Sequence, residues 1–452
     1  MGQTVWVVSI SRQATNRMTF KNIALAISLI LLVPAFVAAE VPKELNAYLA
    51  LPDNSFRWET IEKSDTSTDQ TILMELTSQT WHDITWKHYV LVVIPNKITC
   101  PNHALLFISG SAIGKKPSDR DKVLIRPLAE ASGMCVALLL QVPNQPLLGN
   151  FTEDALIGET LLKTLETKDT TWPLLFPMAK SAVKAMDAVQ EMLQKEKQFD
   201  IKSFIVTGAS KRGWTTWLTA ASGDKRVVAI APMVINNLNT REQMKYQIET
   251  WGEFSLQIGD YTSRNLVRKD DSSGSAIEGE IGTMIDPYSY LPRLTMPKLL
   301  VHGTNDPYWT VDAAKFYFDD LPGVKYMLTL PNAGHGLEGQ QIKGMQTIAA
   351  FAKAAAQGEE FPTVRWKLTE QAADYKVDTE AGIAVSGAKL WTAQSDTKDF
   401  RQTKWTSRNL EPKGVLSVSV PKAEKGHIAF YVEFESNYGG IPYSLTTEVW
   451  RF

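Results

Sequence analysis

Phe204-Ile-Val-Thr-Gly-Ala-Ser210-Lys-Arg-Gly213-Trp-Thr-Thr-Trp-Leu-Thr-Ala-Ala221 runs an apolar strand through a Gly-x-Ser turn straight into a helical pattern. That layout is a nucleophile elbow, in which a serine on a tight, strained turn stands clear of the backbone. Small neighbours are needed because strand and helix pack closely there. The helix behind the serine aims backbone N–H groups and a positive dipole end at the site. The N–H of Lys211 is then the natural first donor to an oxyanion. The usual elbow has Gly two residues after Ser; here Arg212 holds that position and Gly213 follows it. Taken alone, the same letters also describe an ordinary strand–helix turn capped by Ser210.

A serine hydroxyl needs a base, and the base needs an orienting acid. On this kind of scaffold they follow in the order Ser, acid, His. Leu299-Leu-Val-His-Gly-Thr-Asn-Asp306-Pro307 is a strand ending in a turn with Asp306 at its tip. Leu328-Thr-Leu-Pro-Asn-Ala-Gly-His335-Gly336 is the next strand, with His335 on a Gly-flanked loop. Asp306 before Pro307 also suits a plain Asx turn, and Asp312 and Glu338 are alternative acids. His427 also follows Asp306 but lies in a strand pattern near the C-terminus. His302 reads as a buried strand residue, and His82, His88 and His103 precede the elbow. A second oxyanion donor is expected from Ile108-Ser-Gly-Ser-Ala-Ile-Gly114, at Gly110 or Ser111, where backbone can approach a ligand closely.

Around these signals, strand-length apolar runs alternate with helical patterns from about residue 70 to 356. The expected strands are Thr71–Leu76, Tyr89–Ile94, Ala104–Ser109, Cys135–Gln141, Phe204–Thr207, Val227–Val234, Lys298–His302 and Tyr326–Leu330. Continuous apolar strands mean burial on both faces, hence a mainly parallel sheet under helices, an α/β class. Pro177–Lys195 carries Met178, Ala182, Met186, Val189 and Met192 at helical spacing. Residues 236–293 separate two strands that a short helix would normally join, and they carry six Trp, Tyr and Phe that the sequence spaces irregularly. A stretch that long is usually functional; it reads as a helical cap, with a surface decoration as the alternative. Beyond residue 362 the period changes to two, as in Leu416/Val418/Val420 and Ile428/Phe430/Val432/Phe434. That reads as an antiparallel β-sandwich over 362–452, after an α/β domain over 40–357.

The 452 residues are 44% apolar and 21% charged, with a net charge of −2. This balance excludes disorder, collagen and coiled coil, and argues against a nucleic-acid partner. Two cysteines and six histidines without HExxH spacing leave no zinc ribbon or zincin, and the expected chemistry needs no cofactor. Lys21 precedes the apolar run Ile23–Ala39, which ends in small residues. Residues 1–39 therefore read as a signal peptide cleaved before Glu40, with an uncleaved anchor as the alternative. Cleavage removes Arg12, Arg17 and Lys21 and no acid, so the mature chain carries −5. It is expected in the periplasm or outside the cell, with no stable membrane span. In that oxidising setting Cys100 and Cys135, at the starts of two expected neighbouring strands, either form a bridge or remain two buried thiols.

Several motifs together resemble the PhoPQ-activated pathogenicity-related proteins. They are Gln141-Val-Pro-Asn-Gln-Pro-Leu147, Gly208-Ala-Ser-Lys-Arg-Gly-Trp214, Asp286-Pro-Tyr-Ser-Tyr290 with Met296-Pro-Lys-Leu-Leu300, Gly303-Thr-Asn-Asp306 and Leu330-Pro-Asn-Ala-Gly-His335. The resemblance runs from about residue 45 to the C-terminus. It implies an α/β-hydrolase fold with a C-terminal β-sandwich, in an exported protein linked to virulence and to resistance against cationic peptides. The elbow, with Gly three after Ser, is also similar to that of glucuronoyl esterases. The combined expectation is a serine hydrolase built on Ser210, His335 and Asp306, with Lys211 and Gly110 or Ser111 at the oxyanion. It would cut a small ester or a peptide-like amide. The alternative is a non-catalytic exported binding or signalling protein on a hydrolase scaffold.

Overall fold

A computed structural model describes residues 40–269, 279–382 and 384–452. The expected signal segment lies outside the described residues, as do 270–278 of the expected cap. Among the described residues no helix is long and apolar enough to cross a membrane.

Among the described residues nine strands form the main sheet: β1 (Arg57–Asp65), β2 (Asp69–Trp81), β3 (Ile84–Pro95), β4 (His103–Ile108), β5 (Cys135–Leu139), β6 (Ser203–Ala209), β7 (Val227–Met233), β8 (Lys298–Gly303) and β9 (Lys325–Leu330). Their spatial order is β1-β2-β3-β5-β4-β6-β7-β8-β9. Pairing is antiparallel from β1 through the β3–β5 contact and parallel from β5 to β9. The cause is visible in β4, where Ala104, Leu106 and Ile108 enter one apolar layer and Leu105 and Phe107 the opposite one. Such strands must be covered on both faces, which favours parallel pairing with helical crossovers. From β5 the chain passes back over β4 to lay down β6 on its other side, so the strand order reverses at β4. Crevices at the carboxyl ends of strands beside such a reversal are where α/β sheets bind ligands. The register Ile108↔Gly208 sets the end of β4 against the elbow. This is the α/β-hydrolase fold.

The described part of residues 236–293 carries α-helix Thr240–Trp251, short α-helices Gly259–Thr262 and Glu280–Ile285, and 3-10 helices Leu256–Ile258 and Pro287–Arg293, joined by irregular chain. The C-terminal strands form two antiparallel sheets, of three and five strands among the described residues. Tyr375, Val377, Val418 and Val420 of one meet Leu390, Phe430, Val432 and Phe434 of the other. The boundary expected near residue 360 is nevertheless not a break in packing. Ile441, Tyr443 and Leu445 join the apolar layer of helix Gln341–Gln357. Ser444 N–H donates to Thr347 Oγ1 at 3.2 Å and Thr329 N–H to Thr446 Oγ1 at 3.1 Å. Val41–Phe452 is one compact unit.

The Cys100–Cys135 bridge is not formed; both thiols are free and buried. Cys135 pairs with Ala104 and shares its face of the sheet, whereas Cys100 packs in the opposite layer with Leu105 and Val136. Starting at the same sheet edge is not enough when the side chains leave on opposite faces. Burial pushes the Cys135 thiol up to about 12, which removes its thiolate character. Thiol titration of denatured, unreduced protein is expected to find two free thiols and native protein none; a reading of zero after denaturation would restore the bridge.

Candidate active site

Ser210 sits between β6 and helix Lys211–Ala221 with φ 58° and ψ −129°. A side-chain-bearing residue in such a conformation costs about 1–3 kcal/mol and persists only where its surroundings impose it. Its hydroxyl makes no capping hydrogen bond to the helix. The plain N-cap reading is therefore not what is seen.

Two glycines let the helix lie back against the strands. A Cβ on Gly208 would come 2.7 Å from the Arg212 carbonyl oxygen, and one on Gly213 would come 2.6 Å from Ile235 Cγ2 and 2.9 Å from Met233 O. The displaced glycine thus meets the close approach to β7, and position 212 is free to carry a side chain. Arg212 turns sideways, donating from Nε to Val142 O at 2.6 Å and forking onto both Glu153 oxygens at 2.7 Å each. Lys211 Nζ pairs with Glu153 at 3.0 Å and Asp154 at 3.2 Å. Gly110 makes room for this guanidinium, since a Cβ there would meet Arg212 Nη2 at 2.1 Å.

The three residues at the strand ends converge. The Asp306 carboxylate can only accept, so His335 donates from Nδ1–H to Asp306 Oδ2, at 2.8 Å. His335 Nε2 is left to accept from the Ser210 hydroxyl, at 2.7 Å. Asp306 is buried, and its Oδ1 accepts the Tyr308 N–H at 2.9 Å. The Tyr308 ring lies 4.2 Å from the imidazole, centroid to centroid. Neither alternative acid reaches His335. Asp312 is held by Tyr246 Oη, Lys315 Nζ and Arg451 Nε. Glu338 accepts the N–H groups of Gly334 and Gly336 at 3.0 Å each, which shapes the histidine loop. His302 is buried on β8, and burial pushes it down to about 4, leaving it neutral.

The N–H of Lys211, first in its helix, has no intrahelical partner and faces the serine's end of the helix. The N–H groups of Gly110 and Ser111 have no protein acceptor among the described residues. These two residues do not line the cavity over Ser210, whereas Lys211 does. That cavity, of about 60 Å³, has Ser210 and His335 on one side and Met244, Ile258 and Val267 of the cap on the other. Of the described tryptophans only Trp214 and Trp309 line it; Trp81, Trp86, Trp217 and Trp405 are core.

The sequence reading missed the groups that brace the site. Asn305 Nδ2 donates to the carbonyls of Arg401 at 3.1 Å and Thr403 at 2.8 Å. Asn332 exchanges two hydrogen bonds with the Trp405 backbone, at 3.0 and 2.8 Å. One C-terminal segment thus ties down both loops, the one carrying Asp306 and the one carrying His335. Glu153 had a signal, because an arginine inside the elbow calls for a carboxylate partner. The asparagines had none, since their partners lie more than 70 residues away.

Fold and site together define an α/β-hydrolase-like protein with a serine, a histidine and an aspartate in hydrogen-bonded sequence. Residues 45–401 match the family model of the PhoPQ-activated pathogenicity-related proteins, and the chain belongs to that family. It is 32% identical over 447 residues to autocrine proliferation repressor protein A of Dictyostelium discoideum, covering 91% of this chain and 89% of that one. Among solved structures it is similar to an acetyl xylan esterase from Paenibacillus sp. R4, with 13% identity, TM-score 0.49 and coverage of 69% and 92%. It is also similar to a glucuronoyl esterase from Solibacter usitatus, with 12% identity, TM-score 0.42 and coverage of 70% and 91%.

Burial alone would raise the Glu153 carboxyl, but the hydrogen bonds and charge of Arg212, with Lys211, pull it down from 4.5 to about 2. A carboxylate lowered in the folded state adds stability above its unfolded value and loses it as pH falls toward the folded one. Wild type is therefore expected to be more stable than Glu153→Gln to chemical denaturant at pH 7. The gap should close between pH 4.5 and about 2. A gap that does not change across that window would contradict the assignment. Gly213→Ala is expected to cost about 1–3 kcal/mol through the clash with Ile235 and Met233, read from the same denaturation curves.

Proposed function

We propose that this protein is an exported serine hydrolase that cleaves an ester or amide bond. The observation that carries the reading is the continuous chain from Ser210 Oγ through His335 to Asp306 Oδ2. His335 Nε2 takes the hydroxyl proton as Ser210 Oγ attacks the substrate carbonyl. The imidazolium that forms is stabilised by Asp306, which also holds the ring in the reactive tautomer. The tetrahedral oxyanion is met by the Lys211 N–H at the positive end of its helix, with a backbone N–H of Gly110 or Ser111 as the second donor. His335 then gives its proton to the leaving group, and water repeats the sequence to release the acyl product. The strained Ser210 backbone keeps the hydroxyl above the turn throughout. Export is supported by the apolar run Ile23–Ala39 and the small residues that end it.

A fluorophosphonate probe is expected to label wild type and to leave Ser210→Ala and His335→Ala unlabelled. Asp306→Asn should slow ester turnover by on the order of 10³–10⁴, because the amide favours the wrong imidazole tautomer. Folded wild-type protein that neither labels nor hydrolyses any member of an ester panel would overturn the proposal in favour of a binding protein on this scaffold.

A further inference from the structure

Asn237 lines the cavity above Ser210, is only 2% exposed, and among the described residues neither its Oδ1 nor its Nδ2 has a hydrogen-bond partner. A buried carboxamide with both ends unpaired is costly, and native proteins rarely keep one without use for it. Here the surrounding backbone is tied down, so the side chain is not loosely held. The Asn237 carbonyl accepts Thr240 Oγ1 at 2.7 Å, the Thr240 N–H donates to Asp286 at 2.7 Å, and Asn236 Oδ1 accepts Tyr317 Oη at 2.6 Å. The rest of the wall near it is apolar, with Trp214, Ile235 and Met244. The charges that reach the cavity are already matched. Asp154 is paired with Lys211 and accepts Tyr261 Oη at 2.9 Å, while Lys211 is shared with Glu153.

We infer that Asn237 is the recognition group for a neutral amide in the substrate, so that the hydrolase takes N-acylated aminoacyl esters or peptide-like amides rather than plain fatty acyl esters. This rests on the serine-hydrolase reading of the same cavity. A carboxamide offers a donor and an acceptor side by side, which a secondary amide answers with its own C=O and N–H. A hydrocarbon of the same shape leaves both ends of Asn237 buried and unpaired. Sites built to hydrogen-bond a substrate group discriminate against analogues lacking it far more strongly than apolar pockets discriminate by size.

The test compares N-acetyl-L-alanine methyl ester with its hydrocarbon isostere, methyl 2,4-dimethylpentanoate, on the full chain. Because the two esters differ in intrinsic reactivity, the readout is how their kcat/KM ratio changes on substitution. Asn237→Leu and Asn237→Ala are each expected to lower that ratio by at least about tenfold, the loss falling on the amide-bearing ester. Asn237→Leu is also expected to melt no lower than wild type, because it removes two unpaired polar groups from the interior. An equal change for both esters would overturn the inference, as would a lower melting temperature with the ratio unchanged. A second arm separates this from failure of the hydrolase reading. Calorimetric titration of both esters into Ser210→Ala and into Ser210→Ala/Asn237→Leu needs no turnover. A selective loss of the amide-bearing ester by at least about tenfold in Kd supports the assignment even in an inactive protein, and equal binding rejects it.

Discussion

An imidazole at rest has one proton and two nitrogens, and which nitrogen carries it decides whether Ser210 faces a base or another donor. The Asp306 carboxylate settles the matter, because it can only accept and sits 2.8 Å from Nδ1. Much of the surrounding structure serves that contact. Asp306 is fixed by the Tyr308 N–H, the imidazole is packed by the Tyr308 ring, and Glu338 pins the loop through two backbone N–H groups. A misplacement of about 1 Å at such a contact is enough to cost on the order of a hundredfold in rate.

The C-terminal sheets are part of this bracing rather than an appendage. Their Phe400–Trp405 segment receives Asn305 and Asn332, one from each of the two loops. Arg451 reaches Tyr246 and Thr250 on the cap helix, and Arg401 lies 4.0 Å from the centroid of the Trp251 ring. The 400–405 loop, together with Arg451, therefore supports the acid loop, the histidine loop and the roof of the cavity. The hydrolase sheet and the C-terminal sheets also share an apolar layer through helix Gln341–Gln357. Loss of one is expected to propagate to the other.

The sheet was legible because its strands are buried on both faces, and unbroken apolar runs such as Leu105–Ile108 and Leu299–Val301 betray that directly. Ser210, Asp306 and His335 were legible because each stands where a strand stops and a glycine-bearing turn begins. The helical cap was legible as an excess of chain between β7 and β8. What failed depended on pairing across long separations. Whether Cys100 and Cys135 share a face depends on how the turn before β4 directs Cys100, which apolar runs do not reveal. Trp81, Trp86, Trp217 and Trp405 fill the interior, and which tryptophans do so depends on such pairing. Asn237 escaped notice because an asparagine after a strand looks like any turn residue until its surroundings are known.

Nitrogen NMR of the ring atoms in ¹⁵N-histidine-labelled protein at pH 8 interrogates the proton's position itself. The account predicts that His335 carries hydrogen on Nδ1, with Nε2 bare, and that this bias disappears in Asp306→Ala. A His335 ring protonated on Nε2, indifferent to the loss of Asp306, would contradict it.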